Sequence, residues 1–301
     1  MVPFEVKKAV IDIGTNTFNL LIAHEGISGI DIIETHKEAV SLGMGGINDN
    51  RLTDAAISRA MHAFQVFKLA LDAHGGLIPR LIATSAVRDA KNASAFISSV
   101  NKSFNWEVEV ISGLEEAKLI FKGVSLCHDF QSPAVIMDIG GGSTEFIEAD
   151  SKGIKNEISL NIGVSRLYQS FDVSDPFCAL DIQNIEAYLA AHDPGFFRNT
   201  TAQTLIGSSG TFETFYELMN RKPFPNTQKT IELEVGPFME ALDVLIHSTL
   251  AQRNTNDFII PIRKKMAPFA AVKTRWVMQK LNPKKVLISP YSLKEGAFVK
   301  P

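Results

Sequence analysis

Apolar residues recur along the first 126 positions with the periods of both strands and helices. Residues 9–23 alternate apolar and polar after an apolar start, which predicts two strands with a turn at Gly14–Thr17. Between Thr53 and His74, apolar residues recur at helical spacing until Gly75 and Gly76 end the pattern. The same reasoning predicts strands over 80–84 and 106–111 and helices over 89–100 and 112–126.

The order of elements then restarts. Ala134–Ile139 has the composition of a buried strand, and residues 203–218 have the pattern of a strand, a tight turn and a helix. Strands mixed with helices on this spacing predict an α/β fold. The remaining predictions are strands over 145–149, 155–162 and 285–289, helices over 164–171, 181–192, 232–251 and 264–281, and a last helix capped by Ser292.

One short pattern occurs in both halves of the chain. Asp12-Ile13-Gly14 and Asp138-Ile139-Gly140 each follow an apolar strand, precede a hydroxyl-rich turn and lead into another strand. Repetition of this kind is typical of two similar domains. We therefore predict domain I at 1–125 and domain II at 126–301, each a mixed sheet with helices, with both Asp-containing turns facing an interdomain cleft.

Length and composition limit the function without defining it. The 301 residues fit two domains, and the net charge of −3 predicts no general affinity for nucleic acid or other polyanions. Cys127 and Cys178 do not make a disulfide framework, and the N-terminus lacks an apolar signal core. No apolar stretch reaches the ~20 residues of a membrane span. We expect a cytoplasmic protein without a membrane partner.

Three turns have the composition of phosphate-binding loops. Backbone N–H groups hold phosphate oxygens, and glycine lets a phosphate approach the backbone closely. Each turn alone would fit a tight hairpin equally well, but their repetition with Asp in the same place favours phosphate. The candidate residues are Thr15, Asn16 and Thr17 in the first turn, Gly140, Gly141, Gly142 and Ser143 in the second, and Gly207, Ser208, Gly210 and Thr211 in the third.

Carboxylates near these turns suit metal binding and proton transfer. Asp12 and Asp138 stand at strand ends, where they could hold magnesium directly or through water. Glu145 and Glu116 could orient or deprotonate a water molecule. Glu115 lies three residues after Ser112, so we interpret it as part of a capping box. These are the parts that phosphoanhydride hydrolysis requires.

Two arginines have competing interpretations. Arg88 follows small hydroxyl residues at a strand-to-helix turn, where it suits an incoming phosphate, although a surface ion pair is the alternative. Arg263 begins a basic run with Lys264 and Lys265, and most such runs are solvated. The chain has no GxxxxGK[ST] loop, which counts against a P-loop enzyme.

Seven sequence blocks resemble, in order, those of the exopolyphosphatase/guanosine pentaphosphate phosphatase family, within the actin-like (ribonuclease H-like) superfamily. They cover nearly the whole chain and include VIDIGTNTFNLLI, VEVISGLEEAKLIFKGV, VIMDIGGGSTEF and LIGSSGTFETF. The chain looks like a short, two-domain member. The resemblance implies Mg2+-dependent release of the terminal phosphate of inorganic polyphosphate or of guanosine pentaphosphate (pppGpp). It is also the only support for a homodimer.

The resemblance assigns roles to single residues. Glu116 matches the catalytic carboxylate that acts on the attacking water, and Asp138 and Glu145 match positions associated with the metal and with catalysis. Arg88 and Arg263 match arginines that bind phosphoryl groups. The Gly140–Ser143 turn matches the phosphate-binding loop of the second domain, and Asp12 with Thr15–Thr17 matches the corresponding loop of the first.

Three positions depart from the family pattern. Asn19 and Ser41 stand where basic residues are usual, and Lys265 stands where an acidic residue is usual. A long polyphosphate needs an extended basic track, so these departures bear on substrate affinity and chain-length preference. They favour a non-catalytic sensor of polyphosphate or an alarmone, whereas the intact carboxylates favour a hydrolase. An actin-like ATP-binding protein, which shares the fold and the Asp turns, is the third hypothesis.

Overall fold

The computed structural model describes residues 6–26 and 29–299 and divides the chain into two compact units. Unit 1 comprises Met1–Leu126 together with Ser292–Pro301, and unit 2 comprises Cys127–Tyr291. Each unit contains one sheet. The predicted fold class, α/β with two actin-like domains of mixed sheet plus helices, is confirmed.

Unit 1 is built on a five-stranded sheet in the order β3-β2-β1-β4-β5. β1, β2 and β3 form an antiparallel meander, and β4 and β5 run parallel to β1. Phe18, Phe64, Phe67, Phe96 and Trp106 fill the core between the sheet and its helices. The strands are β1 (Lys7–Ile13), β2 (Thr17–Gly26), β3 (Gly29–Ala39), β4 (Arg80–Ala83) and β5 (Val108–Val110), and the helices are α1 (Asp54–Ala73), α2 (Ser85–Arg88), α3 (Ala93–Phe104) and α4 (Gly113–Ser125).

Unit 2 repeats this design with one extra strand. Its sheet has the order β8-β7-β6-β9-β11-β10, with an antiparallel meander of β6, β7 and β8 and with β9 and β11 parallel to β6. The strands are β6 (Ala134–Ile139), β7 (Thr144–Asp150), β8 (Gly153–Leu160), β9 (Thr204–Ser208), β10 (Ile231–Leu233) and β11 (Lys285–Ile288), and the helices are α5 (Val164–Ser170), α6 (Ala179–His192), α7 (Gly210–Asn220), α8 (Val235–Ile246), α9 (Leu250–Asn254) and α10 (Ala267–Leu281).

The repeat predicted from the two Asp-Ile-Gly patterns is therefore a repeat of whole sheets. The central strands β1 and β6 each end at an Asp-Ile pair, turn through a glycine and return as the antiparallel neighbour. Ile13 pairs with Phe18 in one hairpin and Ile139 pairs with Thr144 in the other. Both hairpins thus place the Asp one residue before the end of the ladder.

The last helix, α11 (Leu293–Phe298), corrects the predicted domain boundary. The sequence interpretation assigned residues 126–301 to domain II, but α11 packs on α4 in unit 1. A Cβ atom on Gly296 would lie 1.8 Å from the carbonyl oxygen of Leu119, and one on Gly123 would lie 2.0 Å from that of Ser292. The two helices meet backbone to backbone, a contact between distant residues that a local pattern does not reveal.

Two helix predictions needed correction. The helix predicted over 89–100 begins at Ala93 and ends at Phe104, because residues 85–88 form the separate helix α2. The helix predicted over 232–251 is three elements: β10, α8 and α9. The break falls at Thr249, whose side chain accepts a hydrogen bond from the backbone N–H of Gln252 and caps α9.

Among the described residues, no helix combines the length and the apolar composition needed to cross a membrane.

Candidate active site

The first Asp turn is held by the backbone. The N–H of Gly14 donates to the carbonyl of Thr17 at 3.2 Å, and a Cβ on Gly14 would lie 2.7 Å from that oxygen. The carbonyl of Thr15 accepts from the N–H of Gly43 at 3.0 Å, and that of Asn16 accepts from Ser41 at 2.8 Å. Gly14 is therefore required by the tightness of the turn, and the carbonyls of Thr15 and Asn16 anchor the segment after β3.

A row of four side chains crosses the unit 1 sheet at this turn. Directly paired residues on neighbouring strands present their side chains to the same face. Asn19 on β2 pairs with Asp12 on β1, and its Nδ2 donates to Asp12 Oδ2 at 3.0 Å. We call this set the unit 1 row; its members, from β3 to β4, are Lys37, Asn19, Asp12 and Ile82.

The corresponding unit 2 row contains two acids. Asp138 on β6 pairs with Glu145 on β7, and both are buried, at 7% and 1% exposed. Ser208 Oγ donates to Asp138 Oδ2 at 2.8 Å, and Ser159 Oγ donates to Glu145 Oε1 at 2.7 Å. The row from β8 to β9 is Ser159, Glu145, Asp138 and Ser208. Two buried carboxylates side by side are a donor set that suits a hard divalent cation.

The three-glycine turn of unit 2 is also approached by the protein itself. The carbonyls of Gly140, Gly141 and Gly142 accept hydrogen bonds from the N–H groups of Val164, Ser165 and Gly163, at 3.0, 2.8 and 3.2 Å in that order. A Cβ on Gly163 would lie 2.2 Å from the carbonyl oxygen of Gly141. The carbonyl side of the turn is therefore packed on the start of α5, which accounts for part of its glycine content without a ligand. Ser143, the fourth candidate in the turn, is buried.

The third turn, before α7, lies beside the second. Ser209 Oγ and Thr211 Oγ1 donate to the carbonyl of Ile139 at 3.3 and 3.5 Å, so the turn is tied to the end of β6, directly before Gly140. Ser209 has a φ of 72°, in the region that favours glycine. Gly207 has a packing role, since a Cβ there would lie 2.0 Å from the ring of Phe212. Gly210 is the first residue of α7.

In unit 1, the buried Glu116 pairs with the half-buried Arg88. Glu116 is only 7% exposed, and its Oε2 accepts a hydrogen bond from Arg88 Nη1 at 2.8 Å. The same nitrogen lies 3.3 Å from the carbonyl oxygen of Ile111, just before α4. Arg88 is therefore an ion-pair residue, as the alternative interpretation held, but its main partner is the buried candidate catalytic carboxylate and not a surface group.

Glu115 has the structural role that the sequence predicts. Its side chain accepts from the N–H of Ser112 at 2.8 Å, and its own N–H donates to Ser112 Oγ at 3.2 Å. The backbone and side-chain hydrogen bonds from Ser112 lower the pKa of Glu115. This capping box fixes the first turn of α4 and so places Glu116 in the turn where Arg88 reaches it.

Arg263 is held against α7 and is not part of a solvated basic face. It ends a short 3-10 helix (Pro261–Arg263), and its Nη1 donates to Thr214 Oγ1 at 2.8 Å. Burial lowers the pKa of the Arg263 guanidinium, and the charges of Glu213 and Glu217 oppose that shift. Its contact with α7, which starts at the third turn, keeps it among the unit 2 candidates.

The sequence interpretation missed Lys273. This residue lies in the middle of α10 with no exposed surface, and its Nζ donates to Thr144 Oγ1 at 2.8 Å and to the carbonyl of Ile162. Burial lowers the pKa of Lys273 to about 7, while the nearby charge of Glu145 opposes the shift. The available signal was a single lysine inside the apolar stretch APFAAVKTRW.

Two members of the predicted metal set lie side by side. Asp138 and Glu145 are neighbours in unit 2, whereas Asp12 belongs to unit 1. Over residues 6–26 and 29–299, no group of three or more His, Cys, Asp or Glu side chains is arranged to hold a metal ion. A cation on the unit 2 row would therefore take its remaining ligands from water or from substrate oxygens, which is ordinary for Mg2+.

Comparison with known proteins gives a consistent result. The profile of the Ppx/GppA phosphatase family matches residues 21–301. The crystal structure of an exopolyphosphatase from Cytophaga hutchinsonii ATCC 33406 is 33% identical, with a TM-score of 0.92 over 97% of this chain and 96% of that chain. The Aquifex aeolicus member of the Ppx/GppA family, 23% identical, shares the fold with a TM-score of 0.81 over 97% of this chain and 96% of that chain.

Two curated relatives are longer proteins. A guanosine-5'-triphosphate,3'-diphosphate pyrophosphatase of Aeromonas hydrophila subsp. hydrophila is 31% identical over 70% of this chain and 43% of its own length. A bifunctional 3-dehydroquinate synthase/phosphatase of Fusobacterium nucleatum subsp. nucleatum is 38% identical over 54% of this chain and 26% of its own length. The chain thus spans less than half the length of either relative.

Proposed function

Because this chain belongs to the Ppx/GppA phosphatase family, we propose that it is a Mg2+-dependent hydrolase that releases the terminal phosphate of inorganic polyphosphate or of pppGpp. The observation that carries the proposal is the buried Asp138–Glu145 pair, directly beside a turn of three glycines. Phosphoanhydride hydrolysis needs a cation to neutralise phosphate oxygens and a rigid loop to hold them.

Inorganic polyphosphate is the substrate that we favour. The similar structure from Cytophaga hutchinsonii, matched over 96% of its chain, is that of an exopolyphosphatase, whereas the pyrophosphatase relative is matched over 43% of its length. Since the net charge is −3, phosphate binding has to come from local groups, and the turns with Arg88 and Arg263 are the candidates.

The acidic pair fits the proposed cation. Asp138 and Glu145 would hold Mg2+, whose chemistry is to neutralise charge on the transferred phosphoryl group. The hydroxyls of Ser208 and Ser159 already donate to one oxygen of each carboxylate and fix the orientation of both groups. The two carboxylates are thus preorganised by the serines beside them on β8 and β9.

Glu116 is the proposed group that orients the attacking water and accepts its proton. Its oxygen is held by Arg88, and Arg88 is fixed by the carbonyl of Ile111, so the carboxylate is positioned rather than free to rotate. Arg88 is also the proposed contact for a phosphoryl oxygen, since a guanidinium has five N–H donors and the pair with Glu116 uses few of them.

Glu116→Gln tests this assignment. The amide retains an acceptor for Arg88 but cannot take a proton, so phosphate release should fall at least ~100-fold while substrate affinity stays within about threefold. Glu115→Gln is the matched control, because the neighbouring side chain caps α4 and should affect thermal stability rather than turnover. Full activity in Glu116→Gln would contradict the role.

The cellular location and the partners of the protein are also proposals. We propose a reducing, cytoplasmic location, supported by Cys127 and Cys178, whose thiols form no disulfide. The absence of nucleic-acid and membrane partners, and a homodimer, remain predictions.

A further inference from the structure

A buried lysine lies beneath the three-glycine turn, on a helix that is not otherwise part of the candidate site. Lys273 is one of the largest fully buried side chains of the protein, and nearly every other residue of α10 is also buried. A buried ammonium is costly to desolvate, so apolar packing alone does not explain a lysine at this position. Its hydrogen-bond partners indicate the role of this side chain.

The two acceptors of Lys273 belong to the two segments that meet at the glycine turn. Thr144 follows Ser143 directly, where the chain leaves the turn and enters β7. Ile162 directly precedes Gly163, the first of the residues whose N–H groups bind the carbonyls of the turn. One ammonium group therefore joins the end of the turn to the segment that supports it.

The position of Glu145 adds a second link. Glu145 follows Thr144 on β7, so fixing Thr144 also fixes the strand that carries the acidic side chain. Glu145 is 1% exposed, and the ammonium is a nearby positive charge for a carboxylate that has little contact with water. Lys273 thus supports both the turn and one acid of the unit 2 row.

We propose that Lys273 is a positioning residue: by joining Thr144 to the carbonyl of Ile162, it holds the Gly140–Ser143 turn and Glu145 in the arrangement that receives the phosphate. The inference rests on the proposed function, because it assigns the purpose of the clamp to that site. Lys273 touches no substrate and acts through Thr144 and the 162–165 segment.

Lys273→Met is the main test, since methionine fills similar space without charge or donors. We expect kcat/KM for tripolyphosphate to fall at least ~10-fold, and amide hydrogen exchange to rise in peptides covering 138–146 and 160–166 while the rest of unit 2 keeps its protection. Lys280→Met is the matched control on the same helix, because Lys280 is exposed, and it should change neither readout.

Thr144→Val keeps the test valid if Lys273→Met does not fold. It removes one acceptor of the clamp and conserves shape and strand propensity, so it should give a smaller loss of kcat/KM. The double variant should lose no more kcat/KM than Lys273→Met alone, because both changes break the same hydrogen bond. Additive losses would show that the two residues act independently and would overturn the clamp.

The outcomes separate this inference from the proposed function. If the wild-type protein releases phosphate but Lys273→Met matches it in kcat/KM and in exchange of the two peptides, the inference fails and the function stands. If the wild type releases no phosphate from any substrate, the function fails, while tripolyphosphate binding and peptide exchange still decide whether the clamp shapes the turn. A fall in protection spread evenly over unit 2 would indicate a role in folding only and would overturn the proposal.

Discussion

The same place in the two sheets carries different chemistry. In unit 1, Asp12 lies beside the neutral amide of Asn19, which donates to it. In unit 2, Asp138 lies beside the carboxylate of Glu145, and hydroxyls from the flanking strands β9 and β8 donate to the two acids. The unit 1 row thus contains one acid and the lysine Lys37, whereas the unit 2 row contains two acids and no base.

This difference assigns separate tasks to two copies of one structural element. A pair of buried carboxylates is stable only with compensation from hydrogen bonds, a nearby cation or both. Unit 2 provides the hydroxyls and the buried Lys273, and the proposed Mg2+ would complete the compensation. Unit 1 needs no such support, because its row balances its own charge. We infer that repetition preserved the hairpin geometry while the side chains diverged.

Among the changes that test this comparison, Glu145→Gln should give the largest effect, because it gives the unit 2 row the acid–amide pair that unit 1 has. We expect kcat/KM to fall roughly 100-fold, about 2.7 kcal/mol of transition-state stabilisation, and the Mg2+ concentration for half-maximal rate to rise. The measurement is phosphate release across a Mg2+ titration. Asn19→Ala, at the equivalent position of unit 1, should lose less than tenfold; equal losses would remove the distinction between the rows.

The glycines that open the two turns should differ in their tolerance of a methyl group. A Cβ on Gly14 would lie 2.7 Å from the carbonyl oxygen of Thr17, whereas one on Gly140 would lie 3.0 Å from that of Ser143. Gly14→Ala should therefore lower the free energy of unfolding by about 1–3 kcal/mol, and Gly140→Ala by less. Urea unfolding of both variants checks the order, and the reverse order would show that the close backbone approach does not govern either turn.

Asn19→Glu should give the smallest effect, and it converts the unit 1 row into an acid pair. Like charges directly opposite on neighbouring strands are unfavourable, so stability should fall by up to about 1 kcal/mol, limited by Lys37 on the next strand. Thermal unfolding with and without Mg2+ measures the effect. Recovery by Mg2+ would show that two acids at this place are enough to bind the cation; no loss at neutral pH would contradict the charge argument.

Local patterns were enough for the hairpins, the repeat and the cap of α4. Strand periodicity and the Asp-Ile-Gly pattern located both turns, and the spacing of Ser112 and Glu115 identified the capping box. These features depend on residues close in sequence, so their signal is contained in short windows.

Features that depend on distant residues were not predictable in the same way. Gly207 lies in a turn with the composition of a phosphate-binding loop, yet its close neighbour is the ring of Phe212. The sequence cannot distinguish a glycine that makes room for a phosphate from one that makes room for a side chain. β3 was not predicted, because only Ile30 in it is buried and its second half, from Glu34 to Glu38, is polar. Lys273 resembles any lysine on a helix until the fold shows that every side of it is covered.

Phosphate release tests the central claim most directly. The wild-type protein would be given long polyphosphate, tripolyphosphate, pppGpp and ATP in parallel, each with and without Mg2+. The account predicts release from polyphosphate or pppGpp that depends on Mg2+ and is greater than release from ATP. Binding of polyphosphate or pppGpp without release would contradict hydrolysis and favour the sensor hypothesis, and binding of ATP alone would favour an actin-like ATP-binding protein.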